Sequence, residues 1–167
     1  EGKVVETYTY KETNDKANQV ANGLISKVGV KKGDKVGMYM LNCSEFVLSI
    51  LAIHKTGGIQ VPINKDEKGE RLAYIINYSD QVALVVDPSG LSLIEDIADK
   101  LENLKIIYVT GDSADVPEKI GNIPAESFNS LQEFSTENPN VDVQISDKER
   151  CMFTSGTTGM PKGVVRE

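Results

Sequence analysis

Residues 36–63 read VGMYMLNCSEFVLSILAIHKTGGIQVPI, and this stretch decides the fold. Val36 to Leu41 is an almost wholly apolar run of strand length. Ser44 then stands where a helix N-cap is expected, and Glu45 to Lys55 carries apolar residues too continuously for a surface helix. Gly57-Gly58 stops that helix, and Ile59 to Ile63 is again an apolar run. A strand that is apolar throughout, rather than alternating, is buried on both faces, as in a parallel sheet covered by helices.

The same unit continues down the chain. A helix is expected from about Glu70 to Tyr78, with Leu72, Ala73, Ile75 and Ile76 turned inward, followed by a strand from Val82 to Val86. Asp87-Pro88-Ser89-Gly90 reads as a turn. Ser92 and Glu95 have capping-box spacing and predict a helix to Leu101 with Leu93, Ile94, Ile97 and Ala98 on one side. Ile106 to Val109 is a fourth strand. Strand starts near residues 36, 59, 82 and 105 recur about every 23 residues, the length of a strand, a helix and two short loops. The fold class is therefore α/β, a parallel sheet with helices on both faces. The units share no sequence similarity and are not repeats.

Upstream, Val4 to Tyr8 alternates weakly and predicts a strand, and Thr9 with Glu12 has capping-box spacing. The helix they open should run to about Val28, with Ala17, Val20, Ala21, Leu24, Ile25 and Val28 on one face and Gly29 as its stop. Lys31-Lys32-Gly33-Asp34 is read as a solvated turn rather than a binding patch. Downstream, Thr110 to Pro124 predicts a surface loop, a short helix follows around Ser130 to Phe134, and Thr136 to Ser146 is extended and exposed.

Composition narrows the function. With 40% apolar and 26% charged residues the 167-residue chain is a globular protein with a real core. No apolar run approaches the ~20 residues needed to span a bilayer, and Glu1-Gly2-Lys3-Val4-Val5 has no signal-peptide core, so a cytoplasmic setting is expected. The net charge of −7 is uneven, with 8 basic and 6 acidic residues in 1–60 against 10 and 19 in 61–167. Such a chain is not expected to bind nucleic acid, and any phosphate site must be built locally. Cys43 and Cys151 are too few and too distant for a disulfide framework or a zinc site and are read as core thiols. The single histidine, His54, leaves Ser-His-Asp hydrolysis or a His-based metal centre without partners; its place late in a helix favours packing or a helix-end role.

The functional reading turns on Arg150 to Val165. Thr154 to Gly163 holds four hydroxyls, three glycines and Lys162 between two short apolar runs that suit strands. Gly156, Gly159 and Gly163 let backbone N–H groups turn inward to form an anion-binding concavity. Thr154, Ser155, Thr157 and Thr158 add neutral donors, and Lys162 adds a compact positive charge for a terminal phosphate. Gly156-Thr157-Thr158-Gly159 alone would be an ordinary turn; the longer string is a phosphate loop. It is not a Walker A loop, because Pro161 stands where that pattern needs Gly and Gly163 where it needs a hydroxyl, and Gly163-Val164-Val165 opens a strand better than a helix. Three glycines and a lysine without an evident partner leave the loop few contacts to offset its ordering entropy, so residues 155–163 are expected to be poorly ordered in the absence of ligand.

Thr154 through Gly163 resembles the phosphate-binding signature of the AMP-forming adenylating superfamily, which includes acyl-CoA synthetases, peptide-synthetase adenylation domains and firefly-type luciferases. Tyr8-Thr9-Tyr10-Lys11-Glu12 and His54 to Asn64 are similar to two further blocks of that family. Asn42-Cys43-Ser44-Glu45-Phe46 and Val61-Pro62-Ile63-Asn64 look most like its crotonobetaine/carnitine-CoA ligase branch.

The resemblance implies that residues 1–149 form an α/β subdomain of the family's large N-terminal AMP-binding domain and that 150–167 open the next segment. It implies a two-step reaction in which a carboxylate attacks the α-phosphate of MgATP to give acyl-adenylate and pyrophosphate, and coenzyme A then takes the acyl group. Thr154, Ser155, Gly156, Thr157, Thr158 and Gly159 would line the β- and γ-phosphates, and Lys162 would be catalytic, holding charge on the departing pyrophosphate. The partners implied are a small-molecule carboxylate, ATP with Mg2+, coenzyme A and the remainder of its own polypeptide. Relatives place a histidine just beyond the last residue here, Arg166-Glu167 replace an aliphatic-threonine pair, and the adenine, ribose and Mg2+ residues lie further downstream. The chain is thus expected to be an N-terminal portion, inactive alone. Other readings are a peptide-synthetase adenylation domain, a non-catalytic nucleotide-binding or interaction module, or an unrelated α/β role in which the loop merely looks familiar.

Overall fold

The computed structural model describes residues 4, 6–111, 116–154 and 159–167. Its centre is an eight-stranded sheet of order β5-β6-β4-β3-β1-β2-β7-β8, built from β1 Lys35–Tyr39, β2 Ile59–Pro62, β3 Gln81–Val86, β4 Ile106–Val109, β5 Lys119–Ile120, β6 Ile123–Ser127, β7 Arg150–Thr154 and β8 Lys162–Arg166. The four apolar runs singled out in the sequence are β1 to β4. They pair in parallel, with β1 between β2 and β3. The sheet is not parallel throughout: β5–β6 and β7–β8 are antiparallel pairs at its two edges.

Helices α1 Tyr10–Gly23, α2 Ser44–Lys55, α3 Gly69–Tyr78 and α4 Leu91–Glu95 cover both faces. Alternation along β3 shows how the strands serve two cores: Leu84 and Val86 pack with Leu72, Ile75 and Ile76 of α3, while Ala83 and Val85 pack with Ala21 of α1 and Leu48, Ala52 and Ile53 of α2. Strands β1 to β4 are apolar on both sides because each side has a helix to meet.

The capping box at Thr9 forms as expected, with Thr9 Oγ1 accepting from Glu12 N at 3.2 Å and Glu12 Oε2 accepting from Thr9 N at 2.8 Å. The helical path continues to Val28, its last turn Leu24–Val28 in π-helical form, and ends at Gly29 with φ of 73°. Between Phe128 and Glu133 a 3-10 turn takes the place of the short helix expected around Ser130 to Phe134 and buries Phe128 and Leu131 against the α1 side of the sheet.

Several expectations fail for identifiable reasons. Val4 and residues 6–8 form no strand, since no neighbouring strand takes up their weak alternation. Cys43, not Ser44, is the N-cap of α2, without a side-chain cap bond; Ser44 Oγ donates to Glu45 Oε2 instead. Cys43 is consequently exposed rather than a core thiol, whereas Cys151 is buried. Helix α2 also leaves Val47 and Leu51 facing solvent. The helix expected from Ser92 to Leu101 is shorter, because Asp87 accepts from Gly90 N and starts the helical turn at Pro88–Gly90, placing Ser92 inside rather than ahead of it. A separate 3-10 turn, Ala98–Lys100, follows, and Ile94, Ile97 and Ala98 are still buried. Within the expected loop from Thr110 to Pro124, the short segments of β5 and β6 form strands because β6 finds β4, with Ile107 opposite Ala125.

Candidate functional site

Strands β7 and β8 make an antiparallel hairpin whose last pair before the loop is Thr154 opposite Lys162. Thr154 Oγ1 donates to the Lys162 carbonyl at 3.5 Å. The loop is thereby closed at its base, with the threonine and the lysine on adjacent strands. Gly159 has φ of 135°, a backbone state that favours glycine, and Pro161, buried, leads into β8. Ser155, Gly156, Thr157 and Thr158 lie outside the described residues. Among the described residues none pairs with the Lys162 ammonium, and the side chain is exposed.

The hairpin is seated by its inward residues. Cys151 is buried, burial pushing its thiol pKa up, and the Phe153 ring meets the Tyr78 ring edge-on at 6.2 Å. Phe153 lies opposite Gly163, which sits in β8 without a positive φ, and an added Cβ there would stand in ordinary contact, 3.4 Å from both Cys151 Sγ and Phe153 Cζ. Met152 faces outward.

Beside the hairpin, at the carboxyl ends of β1 and β2, a cleft of about 400 Å³ is lined by Met40, Phe46, Pro62, Lys65, Met152 and Phe153 among others. Carboxyl ends of parallel strands are where open α/β sheets take ligands. The loops that frame this end are tied by a polar node. Asp87 Oδ1 accepts from Lys65 Nζ at 2.8 Å, Ser89 Oγ at 2.5 Å and Gly90 N at 3.1 Å, and its Oδ2 accepts from Leu41 N at 2.8 Å. Lys65 Nζ also lies 4.3 Å from the centre of the Tyr39 ring, whose hydroxyl donates to the carbonyls of Lys65 and Glu67 at 3.1 and 2.9 Å. Burial, reinforced by the charges of Asp87, Asp66 and Glu67, raises the Tyr39 phenol pKa.

On α3, Arg71 pairs with Glu67 through two nitrogens, at 2.8 and 3.2 Å, and its Nη1 reaches the Gly159 carbonyl at 3.5 Å. Sequence reasoning passed over Arg71, Lys65 and Asp87. The four-residue spacing of Glu67 and Arg71 was a local signal, but nothing local links Lys65 to Asp87 or Arg71 to the loop. His54 stands in the last turn of α2 with Nε2 3.1 Å from Gln60 Nε2, at the opposite end of the strands from the loop. Among the described residues no group of three His, Cys, Asp or Glu could hold a metal ion, and no helix is long and apolar enough to cross a membrane.

A family model described as AMP-binding enzyme matches residues 3–167. The chain is 34% identical over 164 residues to a medium/long-chain-fatty-acid–CoA/3-oxocholest-4-en-26-oate–CoA ligase of Mycobacterium marinum, covering 96% of this chain and 29% of that protein. It is 33% identical over 171 residues to a crotonobetaine/carnitine–CoA ligase of Escherichia coli, covering 98% and 31%. The crystal structure of an anthranilate CoA ligase in complex with anthranoyl-AMP superposes with a TM-score of 0.85 at 32% identity, over 96% of this chain and 30% of that one. The chain therefore spans about three-tenths of the length of the relatives it matches. With the family model matched along nearly all of its length, this protein belongs to the AMP-binding enzymes, and the relatives it resembles are acyl-CoA ligases.

Proposed function

We propose that this chain is part of an ATP-dependent acyl-CoA ligase, which joins a carboxylate to the α-phosphate of ATP with release of pyrophosphate, and then passes the acyl group to the thiol of coenzyme A with release of AMP. The observation that carries this reading is the β7–β8 hairpin, which sets Thr154 opposite Lys162 beside a cleft at the strand carboxyl ends. In this reading Thr154, Ser155, Gly156, Thr157, Thr158 and Gly159 contact the β- and γ-phosphates, and the Lys162 ammonium balances the charge that grows on pyrophosphate as it leaves. Such a loop works by position and electrostatics, without bonding covalently to the substrate. Mg2+ arrives with the polyphosphate.

The reading also takes residues 1–149 as one subdomain and 150–167 as the opening of the next segment. Backbone pairing between β2 and β7 is limited to one register pair, Gln60 with Arg150, and a bond from Gln60 N to Glu149 O, while Cys151 and Phe153 of the second segment pack into the core of the first. A cytoplasmic setting and the absence of a nucleic-acid partner complete it, the latter supported by the net charge of −7.

The test is carboxylate-dependent exchange of pyrophosphate into ATP, run with a panel of fatty, aromatic and betaine-type acids. Exchange is expected from the full-length polypeptide and not from the 167 residues expressed alone. A full-length protein that binds ATP but exchanges pyrophosphate with no acid would instead favour a non-catalytic nucleotide-binding module.

A further inference from the structure

Arg71 reaches from α3 to the far arm of the phosphate loop, where its Nη1 lies 3.5 Å from the Gly159 carbonyl. The rest of the guanidinium is already committed. Nε and Nη2 hold the two oxygens of Glu67 at 2.8 and 3.2 Å, a two-point contact that fixes the plane of the fork and aims the remaining nitrogen. Glu67 is itself anchored: its N–H donates to the Asn64 carbonyl at 3.0 Å, and its carbonyl accepts from the hydroxyl of Tyr39, a residue wholly buried in the core. A continuous path therefore runs from the centre of the sheet through Tyr39, Glu67 and Arg71 to Gly159.

The Arg71 side chain is 41% exposed and that of Glu67 16%, and an ion pair this open contributes little to stability. Its consequence is geometric. We infer that Arg71 is a positioning residue for the phosphate loop: held by Glu67, it fixes the Gly159 carbonyl and thereby sets where Lys162 presents its ammonium to a polyphosphate. The inference rests on the nucleotide reading of the loop proposed above. Arg71 touches no substrate in this role; it acts through the loop.

The experiment uses the full-length protein and the variants Arg71→Ala, Arg71→Lys, Glu67→Gln, Lys162→Ala and Arg71→Ala/Lys162→Ala. Single-turnover adenylate formation is followed against MgATP and against the carboxylate. Arg71→Ala is expected to slow adenylate formation about ten-fold at fixed MgATP while leaving the KM for the carboxylate unchanged. Glu67→Gln should lose part of that rate, and Arg71→Lys, which keeps the charge but not the fork, should recover only part of it. The thermal midpoint of Arg71→Ala should stay within about 2 °C of wild type. The double variant should be no slower than Lys162→Ala, since both changes act on one element. Rates for Arg71→Ala within about twofold of wild type, beside an impaired Lys162→Ala, would overturn the inference and leave the loop reading standing. Effects that multiply in the double variant would make Arg71 an independent contributor and also overturn it. A Lys162→Ala protein that forms adenylate normally would remove the loop reading, and this inference with it.

Discussion

Lys65 Nζ sits 2.8 Å from Asp87 Oδ1, joining the loop after β2 to the loop after β3 at the end of the sheet that carries the cleft. The two side chains are only 18% and 14% exposed, and the same carboxylate receives the Leu41 N–H from the loop after β1. One acid thus ties three loops that arrive from three strands.

Replacing Asp87 with Ala leaves the Lys65 ammonium and the Leu41 N–H without their acceptor. The expected cost is about 2–3 kcal/mol, or a thermal midpoint lower by roughly 5–10 °C. Urea unfolding of the two proteins measures it, and a difference below about 0.5 kcal/mol would show that solvent replaces the node without loss.

The same node has a pH signature. Burial pushes the Asp87 carboxyl up, but hydrogen bonds from Lys65, Ser89 and Leu41 N–H outweigh it and hold the group below its ordinary value of 3.8. A carboxyl whose pKa is lower folded than unfolded stabilises fully above the unfolded value and loses that contribution as pH falls through the folded one. The stability difference between wild type and Asp87→Asn should therefore be flat above about pH 5 and shrink below about pH 4. Parallel unfolding curves across that range check it; a gap that widens in acid would reverse the assignment.

Gly37, in the central strand β1, lies under the side chain of Gln81. A Cβ there would stand 1.8 Å from Gln81 Oε1 and 2.8 Å from Leu84 Cδ1. Gln81 is 1% exposed and its amide already donates to Ser79 Oγ at 2.8 Å, so it has little room to yield. Gly37→Ala should destabilise by about 1–3 kcal/mol through overpacking, and Gly37→Ala/Gln81→Ala should recover part of the loss. Unfolding midpoints of the three variants decide it.

At the start of α1 the reciprocal cap is local and exposed. Thr9→Ala removes the acceptor for Glu12 N and should cost about 1 kcal/mol, while Thr9→Ser should be nearly silent. Hydrogen exchange at the first-turn amides should accelerate in the alanine variant alone.

Lys162→Ala in the full-length protein should slow adenylation by about 10²–10³, the loss of one preorganised positive group facing developing charge, with little change in carboxylate binding. Lys162→Arg should restore only part, because a broad planar guanidinium replaces a point charge. Single-turnover rates at saturating MgATP within about twofold of wild type would remove Lys162 from the phosphate site.

What the sequence determined by itself was whatever short-range chemistry dictates. Unbroken apolar runs marked β1 to β4 because a strand buried on both faces has no polar side to show. Thr9 and Glu12 marked a helix start because the cap closes within one turn, and Gly29 marked its end because a left-handed residue suits glycine. The apolar flanks of the loop marked two strands, and its hydroxyls, glycines and lysine suggested the polyphosphate reading; that the two strands pair as an antiparallel hairpin came from the tertiary structure. The tertiary structure alone decided the strand order, which puts β1 between β2 and β3, and the existence of β6, whose five residues become a strand by pairing with β4. It alone exposed Cys43, and it alone brought Lys65 to Asp87, 22 residues away, and Arg71 to Gly159, 88 residues away. Periodicity and capping report which face of an element is buried and where the element ends. Which distant side chains meet is fixed when helices and strands pack their apolar faces together, a step that closes long loops and leaves no trace in local pattern.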